Sequence, residues 1–136
     1  MSTTLKTLCL DGNRIWDAGL SALAEALKDN RMLSHLDLRL NGISDAGASA
    51  LAEALTVNRT LVDLTISMNQ IGDAGAIALA EALTVDSKLT FLDLSSNNIG
   101  AAGVSALQKA KTERLTLLML LLDDNPGAPS SCCVMQ

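Results

Sequence analysis

Few residues of this chain could carry catalysis or bind a metal. The sequence of 136 residues has one histidine, His35, no tyrosine and three cysteines. A lone imidazole on a strand surface is usually solvated, and the carboxylates of Asp37 and Asp63 lack the enclosed cleft that shifts pKa values and excludes water. The sequence contains no Gly-rich phosphate loop and no pair of Cys or His at zinc spacing. We therefore expect no enzymatic activity, no metal and no cofactor.

The composition indicates an ordered, acidic protein built from small aliphatic side chains. Hydrophobic residues make up 49% and charged residues 18% of the chain, which excludes a disordered protein. The net charge of −5 argues against a nucleic-acid partner, because such proteins carry a basic patch. The longest apolar run, 117–122, is too short to span a bilayer, and the first ten residues lack a signal-peptide pattern. We expect a cytoplasmic location.

A unit of 28 residues repeats along the chain and predicts the fold. Its first leucine falls at Leu5, Leu33, Leu61, Leu89 and Leu117. The unit reads L-x-x-L-x-L-x-x-N-x-I, followed by Asp-Ala-Gly and A-L-A-E-A-L. Alternation around the second and third leucines predicts a strand, and the apolar spacing over 46–55 predicts a helix. We expect one α/β solenoid over 1–125, with five parallel strands on the concave side and four helices on the convex side, followed by a flexible tail over 126–136.

Three polar or small columns of the repeat have structural roles. Asp17, Asp45 and Asp73 stand where a helix begins, and we expect them to be N-cap residues. The glycine two residues after each of these positions allows a strand and a helix to pack closely. The asparagine after each strand is expected to hydrogen-bond the backbone of its turn and of the next repeat. This column consists of Asn13, Asn41, Asn69, Asn97 and Asn125.

The repeat resembles the ribonuclease-inhibitor class of leucine-rich repeats. The segments Asp45–Leu55 and Asp73–Leu83 are most similar to repeats in the tails of NOD-like receptors, and the repeat type is also similar to that of Ran GTPase-activating proteins. The resemblance implies a curved solenoid that holds protein partners on its concave side or rim. Three functions stay open: a non-catalytic adaptor, a regulator of a small GTPase, or a fragment of a larger NOD-like receptor.

The variable residues between the leucine columns are expected to face the inside of the curve. Six aspartates against one arginine make this surface acidic, with apolar side chains among the carboxylates. Such a surface suits a protein partner with a basic surface. The alternative is a solvated polar face whose partner binds at the rim. The candidate binding residues are His35, Asp37, Arg39, Asp63, Met68, Phe91 and Asp93.

The C-terminal end of the repeat array departs from the pattern. Ala101 replaces the aspartate, and Lys111 replaces a core leucine, which predicts that the fourth helix has a wetter end. The apolar strand over 117–122 would be an open edge. We expect this edge to pair in a dimer, to remain modestly exposed, or to mark a piece of a longer protein.

The last four residues, Cys133-Val134-Met135-Gln136, fit the C-a-a-X pattern for farnesylation of Cys133. One prenyl chain gives only marginal membrane residence and no polybasic run precedes it, so a second signal such as palmitoylated Cys132 is needed. The sequence thus predicts a membrane tether, and the alternative is an accidental tetrapeptide.

Overall fold

The computed structural model describes residues 4–85, 87–114, 116–129 and 133–135, the last three by their backbone. Strands and helices alternate through the first four repeats, one of each per repeat, and two further strands follow. The strands are β1 (Thr7–Cys9), β2 (His35–Asp37), β3 (Asp63–Thr65), β4 (Phe91–Asp93), β5 (Met119–Leu121) and β6 (Cys133–Met135). The helices are α1 (Trp16–Asp29), α2 (Asp45–Leu55), α3 (Asp73–Thr84) and α4 (Ala101–Glu113). Strands β1 to β5 pair in chain order and in parallel, so the predicted α/β solenoid is confirmed.

The leucine columns form the core, as the repeat predicts. The second leucine of each unit pairs directly with its equivalent in the next strand, and from β2 onward these side chains are buried. Because side chains alternate along a strand, the residues on either side of each leucine face away from the core. This column consists of Leu8, Leu36, Leu64, Leu92 and Leu120.

Within the described residues, no helix combines the length and the apolar character needed to cross a bilayer.

The asparagine column links each repeat to the preceding one. The side-chain oxygen of Asn69 accepts hydrogen bonds from the backbone N–H groups of Asn41 and Ile43, each at 3.0 Å. Its amide nitrogen donates to carbonyls of both repeats, at 3.0 Å to Leu38 and 3.1 Å to Ile66. The structural role is therefore confirmed, but the expected direction toward the next repeat is wrong, because the amide reaches backward along the solenoid.

The aspartate column caps the following helix instead of its own. The residues that precede α2 and α3 are Ser44 and Gly72, and neither makes a side-chain capping bond. Asp45 instead lies in the first turn of α2, and its Oδ1 accepts the N–H groups of Gly72 at 2.7 Å and Gly75 at 2.9 Å. The predicted N-cap role is thus wrong for the helix that carries the aspartate. Each carboxylate neutralises the positive end of the helix in the next repeat.

The glycine column leaves room for these carboxylates. A Cβ atom at Gly75 would lie 2.8 Å from the Asp45 Oδ1 atom and 2.9 Å from the Ile71 side chain. At Gly103 the same atom would lie 2.7 Å from the Asp73 carboxylate. The close packing predicted for this column is therefore present, and the neighbouring repeat's aspartate is a cause of it.

At the C-terminal end the edge of β5 is covered in the described residues, whereas the tail over 126–136 stays a prediction. Strand β6 pairs with β5 in antiparallel orientation, opposite to that of the other strands. Lys111 is only 2% exposed, so the expectation of a wetter end of α4 is wrong at this position. The methylene chain of a lysine can replace the leucine that other repeats place there.

Candidate protein-binding face

The strand register gathers the outward side chains of β1 to β5 into two rows, which we call the strand face. The first row consists of Thr7, His35, Asp63, Phe91 and Met119. The second row consists of Cys9, Asp37, Thr65, Asp93 and Leu121. Each residue of a row lies about 4.8 Å from the next, the usual spacing of paired strands. This face exists because the period of 28 residues holds the strands in register.

Asp37 carries its own counter-ion on the strand face. The Nη2 and Nε atoms of Arg39 lie 2.7 and 3.1 Å from Oδ2 of Asp37, and the backbone N–H of Arg39 donates to Oδ1 at 3.1 Å. The hydrogen bond from the Arg39 side chain holds the pKa of Asp37 below its usual value, against the opposing effect of burial. The charge of Asp37 is thus largely neutralised, and the face is less acidic than the sequence suggests.

The other two carboxylates of the rows differ in their partners. The Oδ1 atom of Asp93 accepts hydrogen bonds from the backbone N–H of Ser95 at 2.9 Å and from its hydroxyl at 2.6 Å. Asp63 makes no side-chain hydrogen bond or ion pair in the part of the chain that the structure describes. These two carboxylates are therefore the acidic groups of the strand face that a basic partner could approach.

The strand face becomes apolar toward its C-terminal end. Phe91 pairs with Met119, and the next outward position of β5 is Leu121. All three side chains are half-buried. At the other end of the same rows the side chains are polar and exposed, including His35, whose Nδ1 lies 2.7 Å from the Ser34 hydroxyl. The face thus offers charged contacts beside an apolar surface.

The structure brings five of the seven predicted binding residues together on the strand face. Arg39 follows β2 and contacts the face through Asp37. Met68 lies in the loop after β3, where its backbone is left-handed with φ of 56°. Of the predicted lipidation sites, Cys133 lies in β6, of which only the backbone is described, and Cys132 falls outside the described residues.

The sequence interpretation missed two residues that the structure makes prominent. Trp16 is 54% exposed at the start of α1 and also has a left-handed backbone. Asn58 is only 3% exposed and donates to the Leu27 carbonyl at 2.8 Å, which makes it part of a second inter-repeat link. The spacing of 28 residues between Asn30 and Asn58 is the signal that would have revealed the second link.

The strand face is an open surface in the part of the chain that the structure describes. Among the described residues, no three His, Cys, Asp or Glu side chains lie close enough to hold a metal ion. A shallow depression on the strand face is lined by Thr7, Cys9, His35 and Asp63, among others. Open surfaces of this kind do not exclude water, which is what perturbs catalytic groups.

The comparisons with known proteins agree with this architecture. A family model described as Leucine Rich repeat matches residues 2–24, 29–52, 57–80 and 85–107. The matched segments cover more than half of the chain, so the chain belongs to the leucine-rich repeat family. No curated protein matches the sequence.

Two solved structures show the same fold. Leiomodin-1 actin-binding site 2 is 26% identical, with a TM-score of 0.83, over 89% of this chain and 72% of that one. The tropomodulin C-terminal domain from Caenorhabditis elegans is 18% identical, with a TM-score of 0.78, over 96% of this chain and 77% of that one. The second likeness shows the fold alone.

Proposed function

We propose that this chain is a non-catalytic module that binds a protein partner through the strand face. The observation that carries the proposal is the register of β1 to β5, which places His35, Asp63, Phe91 and Asp93 on one surface. None of these side chains belongs to the buried core. A surface with two approachable carboxylates beside a half-buried phenylalanine suits a partner with a basic rim and an apolar centre.

Charge reversal on the strand face tests this proposal. In the variant Asp63→Lys/Asp93→Lys we expect loss of partner capture with only a slightly lower melting temperature. Neither side chain lies in the core, and the only hydrogen bonds lost among the described residues are those from Ser95 to Asp93. The matched control is Asp29→Lys/Glu81→Lys, which makes the same charge change on exposed helical positions. Captured proteins are quantified by mass spectrometry with each immobilised variant. Equal losses in the two variants would show that net charge, and not the strand face, governs capture.

Actin is a second candidate partner, favoured by one observation. The match to leiomodin-1 actin-binding site 2 extends over 89% of this chain. We infer that the solenoid can bind monomeric actin by a related surface. Titration of labelled monomeric actin with the wild-type chain should give saturable binding that the Asp63→Lys/Asp93→Lys variant weakens. Absence of binding at concentrations well above micromolar would remove actin and leave the general proposal standing.

The finer role suggested by the sequence is a cytoplasmic adaptor. The repeat pattern supports kinship with the ribonuclease-inhibitor class and NOD-like receptor tails, and the C-a-a-X pattern supports a farnesyl tether at Cys133 with palmitoyl at Cys132. Intact mass after expression in a eukaryotic cell tests the tether. Loss of Val134-Met135-Gln136 with a farnesyl-sized addition supports it, and an unmodified chain contradicts it. Such processing would remove two of the three residues of β6 and so uncover the edge of β5. Two alternatives remain, a regulator of a small GTPase and a fragment of a NOD-like receptor, and both would also bind a protein partner.

A further inference from the structure

The loop after each of the strands β1 to β5 has a left-handed backbone at the same position of the repeat. The positions are Gly12, Leu40, Met68, Ser96 and Asp124, with φ between 53° and 67°. Glycine adopts this conformation freely and aspartate tolerates it, whereas bulky side chains are strained there. The fold therefore requires the backbone shape at this column and not a large side chain.

Leucine and methionine at two of these positions are unfavourable for the fold and for solubility. Leu40 is 57% exposed and Met68 is 50% exposed, so neither gains the burial that would offset the strained backbone. Glycine, serine and aspartate serve at the equivalent positions of the other repeats. Strained residues that the fold does not need are typical of functional surfaces.

Trp16 extends this apolar surface. Its backbone N–H donates to the Asn41 carbonyl at 2.9 Å, and its ring lies where a side chain at Gly42 would be. Gly42 is itself left-handed, with φ of 68°. The indole is thus held beside the loop that carries Leu40. We call Trp16, Leu40 and Met68 the apolar rim.

Carboxylates gather around Arg39, the residue before Leu40 of the apolar rim. The guanidinium of Arg39, next to Leu40 in sequence, binds Asp37, and the charges of Asp11 and Asp93 also act on it. Three carboxylates therefore act on the guanidinium of Arg39. A second basic residue, Arg14, lies two residues before Trp16 in the sequence. Farther along the same column Asp124 takes the position of Leu40, and its Oδ2 lies 3.4 Å from the Ser96 hydroxyl. The column thus runs from apolar to acidic along the solenoid.

The spacing of this column fits a helix. At about 4.8 Å per strand the five positions span about 19 Å, and about 13 residues of helix cover that length at about 1.5 Å each. Side chains at i and i+4 of a helix lie about 5 to 6 Å apart, close to the separation of neighbouring repeats. An amphipathic helix can therefore place successive apolar side chains over successive repeats.

We propose that the apolar rim docks an amphipathic helix of the protein partner, with an apolar stripe over Trp16, Leu40 and Met68 and basic residues over Asp124. The proposal rests on the proposed function as a protein-binding module, and it names a surface beside the strand face. The helix contributes apolar anchors at one end and lysine or arginine at the other. The partner is thus recognised by shape and by charge.

Tryptophan fluorescence tests the rim directly, because Trp16 is the only tryptophan of the chain. The probe is a helical peptide without tryptophan, with leucines at i and i+4 spacing in its first half and lysines in its second half. A peptide of the same composition with its leucines scattered around the helix is the control. We expect the striped peptide to move the Trp16 emission to shorter wavelength and to bind about tenfold more tightly than the scattered one.

Two glycine substitutions separate docking from folding. In Leu40→Gly/Met68→Gly we expect the preference for the striped peptide to vanish while the melting temperature stays at or above that of the wild type, because glycine relieves the left-handed strain. Ser96→Gly makes the same backbone change outside the apolar rim and should keep full binding. A large fall in melting temperature in the double variant would show that the side chains serve the fold, and would overturn the proposal.

The remaining outcomes distinguish the rim from the strand face. If Asp63→Lys/Asp93→Lys abolishes peptide binding and Leu40→Gly/Met68→Gly leaves it intact, the strand face holds the helix and the rim proposal is overturned. If neither peptide changes the Trp16 emission, the rim proposal is likewise overturned. The proposal that the strand face binds the partner is then tested separately by the partner-capture experiment. Loss confined to the glycine variant supports the rim.

Discussion

The two ends of the solenoid are closed to different degrees. At the N-terminal end the side chains of Leu5, Leu8 and Leu10 are only partly buried. At the C-terminal end the equivalent leucines at 117, 120 and 122 are buried as completely as those in the middle. There β6 covers the edge of β5, and Gly127 packs against the backbone of Gly100 so closely that no side chain would fit.

This difference shows that the repeat's leucines become core only where something covers them. In the middle of the array the cover is the next repeat, with its strand, its helix and its asparagine and aspartate links. At the C-terminal end a segment outside the repeat pattern provides the cover. The contribution of a given leucine to the free energy of unfolding therefore depends on what covers it and not on the residue type alone.

The largest effect is expected for the second leucine of the repeat. Leu64→Ala, in the fully covered middle, should lower the free energy of unfolding by about 2–5 kcal/mol, since it leaves a cavity among residues that cannot collapse. Leu8→Ala, at the partly covered end, should cost about 1 kcal/mol. Urea unfolding of both variants measures the contrast. Equal costs at the two positions would mean that the leucine at the N-terminal end is as well covered as the one in the middle.

Asparagine substitutions sharpen the same contrast. Asn69→Ala leaves two backbone N–H groups and three carbonyls without their side-chain partner, which we expect to cost about 2–3 kcal/mol. Asn13 is exposed and, among the described residues, its amide donates only to the carbonyl of Asp11, so Asn13→Ala should cost about 0.5 kcal/mol. Thermal unfolding of both variants measures the difference, and a similar loss of stability in both would contradict the asparagine column as a source of stability.

Removal of β6 tests the closed end. A chain that ends at Pro129 loses the backbone hydrogen bonds of the β5 edge, and we expect it to be less stable by about 1–2 kcal/mol. The uncovered edge should also pair between molecules. Light scattering after size-exclusion chromatography measures the mass in solution. A monomer of unchanged stability would show that β6 contributes nothing to closure.

The smallest effect concerns acid sensitivity of the aspartate links. Burial raises the pKa of Asp17, but the hydrogen bonds from Ser44 and from the Gly47 backbone outweigh it, so the pKa lies below its usual value. The stability that this carboxylate contributes is present above about pH 4 and is lost as the pH falls through the lowered pKa.

Urea unfolding at neutral and acid pH measures this dependence. Asp17→Asn should lose less stability than the wild type between the two conditions, because it no longer takes up a proton there. Asp63→Asn, which changes a carboxylate without a partner in the described residues, should behave as the wild type does. If Asp17→Asn loses as much stability between neutral and acid pH as the wild type does, protonation of this carboxylate is not linked to folding.

The features that repeat every 28 residues were predictable from the sequence. The repeat to which each polar side chain bonds, and the exceptions to the pattern, were not. The columns headed by Leu8 and Asn13 predicted the strands, their register and a structural asparagine, because a fixed period places equivalent residues side by side. The same period does not indicate whether Asp45 caps its own helix or the next. Only the structure shows the bond to Gly72, which lies 27 residues farther along the chain.

The strand face was predicted in part for the same reason. Asp63 and Phe91 follow from the alternation of side chains along a strand. The ion pair of Asp37 with Arg39 depends on a side-chain conformation that no pattern encodes, and β6 has no counterpart in the repeat. The left-handed backbone at Leu40 and Met68 could not be predicted from the sequence. Glycine is the usual sign of this conformation, and in that column only position 12 is a glycine.

The most direct test of the proposed binding function is site-specific photo-cross-linking from the strand face. A photoreactive amino acid is placed at position 63 in one variant and at position 105, an exposed site on α4, in the other. Binding through the strand face predicts one dominant cross-linked partner at position 63 and only weak, scattered products at position 105. The same partner cross-linked equally from both positions would contradict binding through the strand face.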